Sequence, residues 1–102
     1  MSTIDGTWAL RMRTPIGSIQ AEVTFQDSGH GIEGVAVGAA ESVPLRDVRI
    51  TDDGEHLTWS QTISKPMRLH LDFDVHVRDD EMQGHSRAGR LPRSVVTGTR
   101  LR

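Results

Sequence analysis

The chain alternates between apolar and polar positions. From Arg68 to Val77, the residues Leu69, Leu71, Phe73, Val75 and Val77 fall on one side, and Arg68, His70, Asp72, Asp74 and His76 fall on the other. Strict period-two alternation of this length marks a β-strand with one buried and one wet face. The segment before it, Thr58 to Ile63, alternates in the same way and joins it at Ser64-Lys65-Pro66. Other turn signals stand at Thr14-Pro15, Asp27-Ser28-Gly29, Gly38-Ala39-Ala40, Thr51-Asp52-Asp53-Gly54, Asp79-Asp80, and Ala88 through Pro92. Asp, Gly and Pro occupy such places for backbone reasons. Seven turns predict eight strands, over about 7–13, 16–26, 30–37, 42–50, 55–63, 67–77, 81–87 and 94–101. No stretch carries the period of a long amphipathic helix.

The inward set follows from the phase of each strand. It comprises Trp8, Leu10 and Met12; Ile19, Ala21, Val23 and Phe25; Ile32, Gly34 and Ala36; and Val43 and Leu45. The second half adds Leu57, Trp59, Gln61 and Ile63; Leu69, Leu71, Phe73 and Val75; and Met82, Gly84 and Ser86. The eighth strand reads in either phase. A three-residue turn at Pro66 would set Trp59 opposite Leu71 and Leu57 opposite Phe73, and the matching pairing in the first half would set Trp8 opposite Ala21. Inward residues then face inward residues, as cross-strand packing requires. Asp47 and Arg49 interrupt an apolar strand and predict a bulge after Leu45. Antiparallel strands with one apolar face avoid exposed edges best by closing. The expected fold is all-β, a single domain over 1–102 forming an eight-stranded antiparallel up-and-down β-barrel; a two-sheet sandwich is the competing arrangement.

The pattern also repeats. Thr7-Trp8 is followed by Pro15 at the distance at which Thr58-Trp59 is followed by Pro66. Ile19, Ala21, Val23 and Phe25 line up with Leu69, Leu71, Phe73 and Val75, and Ile32-Glu33-Gly34 with Met82-Gln83-Gly84. The offset is 51 residues before the turn and 50 after it. This predicts two similar four-strand halves, about 5–51 and 56–102.

These strings carry a resemblance. GTWALRMRTPIGSIQAEVTF, IEGVA, VPLRDV, LTWSQTISKPMRLHLDFDV, MQG and TGTR together resemble small bacterial β-domains of calycin-like, lipocalin- and avidin-like architecture. The signatures that look alike are Gly6-Thr7-Trp8 on the first strand and Thr97-Gly98-Thr99-Arg100 near the end. The resemblance implies a barrel whose interior often receives a small apolar molecule. It covers most of the chain, but its motifs are short and structural, and no ligand-site residue set carries over. The chain is also shorter than a typical lipocalin.

Composition narrows the partners. With 12 basic and 14 acidic side chains the formal net charge is −2, which offers no electrostatic footprint for nucleic acid. The absence of Cys excludes disulfides and thiolate–metal sites. No apolar run reaches the length of a membrane-spanning helix or a signal-peptide core, so a cytoplasmic protein with no membrane partner is expected.

Candidate chemistry lies mainly inside. An eight-stranded barrel is just wide enough to be filled by side chains or to hold one small ligand. Ala21, Gly34, Ala36, Gly84 and Ser86 are small at inward positions, which can leave a cavity or simply admit the two Trp. The candidate ligand-binding residues are Trp8, Met12, Phe25, Trp59, Gln61, Phe73, Met82 and Ser86: aromatic faces, adaptable thioethers and a few polar atoms. Gln61 is the one clearly polar residue in an apolar inward series. It can orient a ligand carbonyl or hydroxyl, or sit in water at the barrel mouth. Gln61 and Asp47 are the catalytic candidates, Asp47 as a general base at the cavity.

The outward charges read more simply. The stripe His70, Asp72, Asp74, His76 with His85 and Arg87 beside it has ligand types for a metal, but alternate residues on a strand stand about 6.6–7 Å apart. Cross-strand charge pairs on a wet face, or a polar subunit interface, account for it better, and no metal or cofactor is expected. Arg11, Arg13, Arg46 and Arg49 read as solvent-facing, although Arg13 stands near enough to a turn to reach an anionic ligand over the rim.

Three functions are compatible with this inventory. The leading one is binding of a small hydrophobic or aromatic molecule in the barrel interior, by a protein expected to be a homodimer. The second is a cofactor-free isomerase, cyclase or dehydratase using the same pocket through shape and orientation. The third is an oligomeric interaction module with a filled core.

Overall fold

The computed structural model describes residues 4–14, 17–39, 41–64 and 68–102. The expected turn residues Pro15, Ala40, Lys65 and Pro66 lie outside the described residues. The chain forms β1 (Gly6–Thr14), β2 (Gly17–Asp27), β3 (Ile32–Val37), β4 (Ser42–Pro44), β5 (Arg46–Ile50), β6 (His56–Ile63), β7 (Leu69–Arg78), β8 (Glu81–Arg87) and β9 (Ser94–Arg100). All are antiparallel, in one sheet ordered β4-β3-β2-β1-β9-β8-β7-β6-β5. Consecutive strands pair with one another except β4 and β5, which form the two edges of the sheet, and β9 returns to pair with β1. The sheet thus wraps into a nearly closed up-and-down barrel rather than a two-sheet sandwich.

Nine strands replace the expected eight because the fourth is broken at Leu45. Its first part, β4, pairs with β3. Its second part, β5, pairs with β6. The expected bulge is present: the β5–β6 register shifts between Arg46 and Arg49, and Asp47 has a φ of 52°, a left-handed conformation that Asp tolerates better than most residues. At the corner the Leu45 N–H donates to the Gly34 carbonyl at 2.9 Å. Gly34 makes this approach possible, since a Cβ there would stand 2.7 Å from Leu45 Cδ1 and 2.8 Å from the Thr24 carbonyl oxygen. A single bent strand thereby changes partner from β3 to β6 and brings the two edges of the sheet together.

The hairpin registers differ from expectation by two residues. Trp59 faces Phe73 and Leu57 faces Val75, leaving five residues between the paired Ile63 and Leu69. Trp8 faces Val23, and Thr14 pairs with Gly17 across two residues. Because side chains alternate with a period of two, a shift of two keeps every inward residue inward. The eighth predicted strand resolves as β9 with Val96 and Gly98 buried and Val95 outside. Gly98 is a tight position: a Cβ would meet Leu10 Cδ2 and Met82 Cγ.

The core fills the barrel axis with Trp8, Phe25, Leu57, Trp59, Val75, Met82 and Val96 among its most enclosed members. Ile4, ahead of β1, is fully buried as well. Among the described residues, no helix is long and apolar enough to cross a membrane.

Candidate functional site

The two ends of the barrel are packed differently. Along β2 the inward side chains run from 1% exposed at Phe25 to 38% at Ile19, and along β6 from 0% at Leu57 through 6% at Gln61 to a half-buried Ile63. Val43 and Leu69 are half-buried at the same end. Antiparallel geometry puts the end of β1, the start of β2, the end of β6 and the start of β7 at one rim. That rim is open and the opposite end is shut.

Trp8 helps to shut it. Its indole N–H donates to the Ile4 carbonyl at 3.0 Å. The Arg100 guanidinium carbon lies 4.5 Å from the centroid of its ring, a cation–π arrangement. Arg100 also donates to the Asp5 carbonyl at 2.5 Å and to the Asp80 carboxylate at 2.8 Å. Trp8 is therefore sealed beneath Ile4 and Arg100 and does not reach the open interior, contrary to its expected place among the ligand-binding residues.

At the open end a cavity of about 470 Å³ is lined by Leu10, Met12, Val23, Ala36, Leu71 and Phe73, with Ile19, Ala21, Val43 and Ile63 nearer the rim. Three expected ligand-binding residues, Met12, Gln61 and Phe73, meet here. Trp59 supports them from behind. It stacks on Phe73 with centroids 4.6 Å apart and planes 5° from parallel, and it meets Phe25 edge-on at 5.4 Å. Its indole N–H donates to Gln61 Oε1 at 3.0 Å. Phe25 and Met82 are packed into the core without lining this cavity. Ser86 is held in the wall, with its hydroxyl 2.7 Å from Met12 Sδ.

The small inward residues do not all leave space. The room at Gly34 is taken by Leu45. At Gly84 a Cβ would collide with the Asp74 carbonyl and Val75 Cα, so this glycine serves the close approach of β7. Ser86 is occupied by Met12. Of the five, Ala21 and Ala36 remain on the cavity wall.

The rim carries one polar tie that sequence reasoning missed. The Glu41 carboxylate accepts the Ser64 N–H at 2.7 Å and the Ser64 hydroxyl at 2.6 Å. Glu41 also lines the cavity. This links the β3–β4 turn to the segment after β6 across the seam where β4 has no ladder to β6. A glutamate in a short loop carries no sequence signal for such a role. The rim residues Ile19, Ala21, Val43 and Ile63 belong to the inward set, but alternation reports the side of a strand and not the depth along the barrel.

Asp47 is on the outside. It is exposed and borders an outer concavity of about 760 Å³ with Arg49, Asp72, Asp74, His85, Arg87 and Arg93. It does not line the interior cavity, so it cannot act there as a general base in this arrangement. On this face Asp72 stands opposite Arg87 and Asp74 opposite His85 in register, but the Asp72 carboxylate instead accepts the Ser60 hydroxyl at 2.7 Å and lies 3.6 Å from His70. His56 Nε2 lies 2.6 Å from Asp74 Oδ1 and its ring stacks on His76 at 5.0 Å. Arg46 donates to the Thr62 hydroxyl at 2.8 Å and lies 3.3 Å from His70 Nδ1. These polar contacts lie on a wet surface. Among the described residues, no group of three or more His, Asp or Glu is arranged to hold a metal ion. Arg11 and Arg13 are exposed, and neither lines the interior cavity.

Asp53, in the turn before β6, is the carboxylate that stands apart electrostatically. The Thr51 hydroxyl and then the Glu55 N–H hydrogen-bond its charged form and hold it below the ordinary carboxylate value. It lies at the shut end of the barrel.

Comparison with protein-family models, with curated proteins and with solved structures finds no match to this chain.

Proposed function

We propose that the protein binds a small apolar molecule in the open end of the barrel. The observation that carries this reading is the one-sided packing: one end is filled by Trp8, Phe25, Leu57 and Val75, while inward apolar side chains at the other end stay partly exposed around a cavity of about 470 Å³. Proteins pack their interiors densely, so inward apolar surface left open to water at one end is a feature with a cost. The volume lies within the roughly 300–1,000 Å³ typical of small-molecule sites. Phe73 offers a ring held by Trp59, and Met12 offers an adaptable thioether. The calycin-like relationship is part of the same proposal. Its support is the antiparallel pairing of β1 with β9, in which the two signatures meet at their ends, Trp8 opposite Arg100.

Binding is favoured over catalysis by the polar inventory of the cavity. Among the described residues that line it, Glu41 is the one ionisable group, and its carboxylate is engaged by Ser64. The test is fluorescence titration of a Trp8→Phe variant, which leaves Trp59 as the reporter, against small apolar and aromatic compounds. A saturable change is expected because Phe73 joins Trp59 to the cavity. A flat response across a panel spanning the cavity's size would overturn the proposal.

A further inference from the structure

The Gln61 carboxamide is the buried polar side chain on the cavity wall, and its orientation is determined. Gln61 is buried at 6% exposure and lines the cavity. Trp59 Nε1–H can only donate, so the amide atom 3.0 Å from it has to be the oxygen. The Nε2 amino group is thereby turned away from the indole. Among the described residues Nε2 has no hydrogen-bond partner. Yet no fully enclosed side-chain nitrogen or oxygen among them lacks one, so Nε2 opens onto the cavity. An amino group so placed is a donor pair fixed by its neighbour among the buried apolar side chains Leu10, Met12, Val23, Leu71 and Phe73.

Resting on the binding reading above, we infer that Gln61 selects ligands carrying a neutral hydrogen-bond acceptor, such as a ketone, ester or lactone oxygen, at the deep end of an apolar frame. A buried donor left unpaired by a pure hydrocarbon is penalised, whereas a carbonyl oxygen satisfies it. An alcohol can also accept, but its own proton then needs an acceptor and would have to share Gln61 Oε1 with the indole N–H, which a ketone does not require. A carboxylate would lose its hydration against one neutral amide. No Lys or Arg lines the cavity among the described residues, and the Glu41 carboxylate stands at its rim.

The experiment uses three probes with one aromatic frame: 2-acetylnaphthalene, 2-ethylnaphthalene and 2-naphthoate at neutral pH. Their affinities for the intact protein are measured by calorimetry, and the Gln61 side-chain amide resonances are followed by NMR. The ketone is expected to bind about tenfold tighter than the hydrocarbon, the worth of one hydrogen bond, and tighter than the carboxylate. It should move the Gln61 amide protons while the hydrocarbon leaves them in place. In Gln61→Met the preference for the ketone should vanish. Gln61→Glu keeps an oxygen for the indole and removes the amino group, and it should lose the same preference. Equal binding of ketone and hydrocarbon, or tightest binding of the carboxylate, would overturn this inference and leave the pocket standing. Failure of all three to bind would remove the pocket and the inference together.

Discussion

Ala21→Ile tests whether the open end is space or merely loose packing. Ala21 is half-buried on β2, lines the cavity and pairs with Leu10 of β1. The substitution adds three carbons, and each buried methylene stabilises by about 0.8 kcal/mol, so full burial would give about 2.4 kcal/mol. At a half-buried rim position about half of that survives, and fixing the Ile side chain costs roughly 0.5–1 kcal/mol. The better fit of a β-branched residue to a strand returns a few tenths. The net expectation is a stabilisation of about 0.5–1 kcal/mol, because a cavity of about 470 Å³ admits three carbons without displacing neighbours. If the site were already packed, the same change would destabilise by about 1–3 kcal/mol. The sign therefore decides. Urea unfolding should show a higher midpoint at an unchanged slope, together with weaker binding of any compound that titrates the wild type. A lowered midpoint, or undiminished binding, would refute the cavity.

Other positions separate the roles of wall, floor and rim. Gly34→Ala places a Cβ within 3 Å of Leu45 Cδ1 and the Thr24 carbonyl, and should destabilise by about 1–3 kcal/mol; a neutral effect in urea would remove the account of the β4–β5 corner. Arg100→Ala removes the cation over Trp8 and the Asp80 pair. It should cost about 1–3 kcal/mol of stability while ligand affinity stays unchanged, since the shut end is remote from the cavity; a change in affinity would argue against that separation. Glu41→Gln exchanges a charge-assisted tie to Ser64 for a neutral one, a local loss of about 1 kcal/mol, and hydrogen exchange over 38–45 should speed up about fivefold. The lowered Asp53 value gives a pH dependence of definite sign: its hydrogen bonds stabilise the turn above the ordinary value of 3.8, and that contribution is lost as pH falls through the lower folded value. Acid titration by NMR should show the Thr51–Glu55 amides changing below pH 3.8, and an Asp53 midpoint above that value would contradict the assigned hydrogen bonds.

Much of the fold was legible because alternation is a direct record of which face is wet. Every inward residue proposed for the first seven strands kept its side, including Gln61. Registers were less legible, since they depend on where a turn sits and how long it is. Five residues separate Ile63 from Leu69 in place of three, and the two-residue turn of the first hairpin follows Thr14 in place of Arg13; nothing in the alternation distinguishes these. The phase of the last strand had a usable signal in Gly98. A glycine in the inward phase makes sense where Leu10 and Met82 press against the backbone, and the other phase leaves it without purpose. The candidate site was legible in part. Met12, Gln61 and Phe73 reach the cavity, but Trp8 does not, because the plug at Ile4 and the cation at Arg100 are contributed by residues far apart in sequence.

The break at Leu45 ties the fold to the site. A barrel closed by ladders all round resists widening, since opening any seam breaks a row of backbone hydrogen bonds. Here β4 is three residues long and pairs on one side with β3, while its other edge faces β6 without a ladder. β4 is also the strand that brings Val43 to the cavity wall. Across that seam the described polar tie is Glu41 to Ser64, two hydrogen bonds at the rim instead of a run of main-chain pairs. The seam continues below the corner, where β5 pairs with β6 and has no ladder to β3, while the Trp8 plug closes the shut end from above β1. The bulge at Asp47 has the same origin, because the strand must turn its hydrogen-bonding edge from one neighbour to the other within a few residues. An interruption that reads in the sequence as a defect in an apolar strand is, in the barrel, the place where the wall can yield with the fewest hydrogen bonds lost.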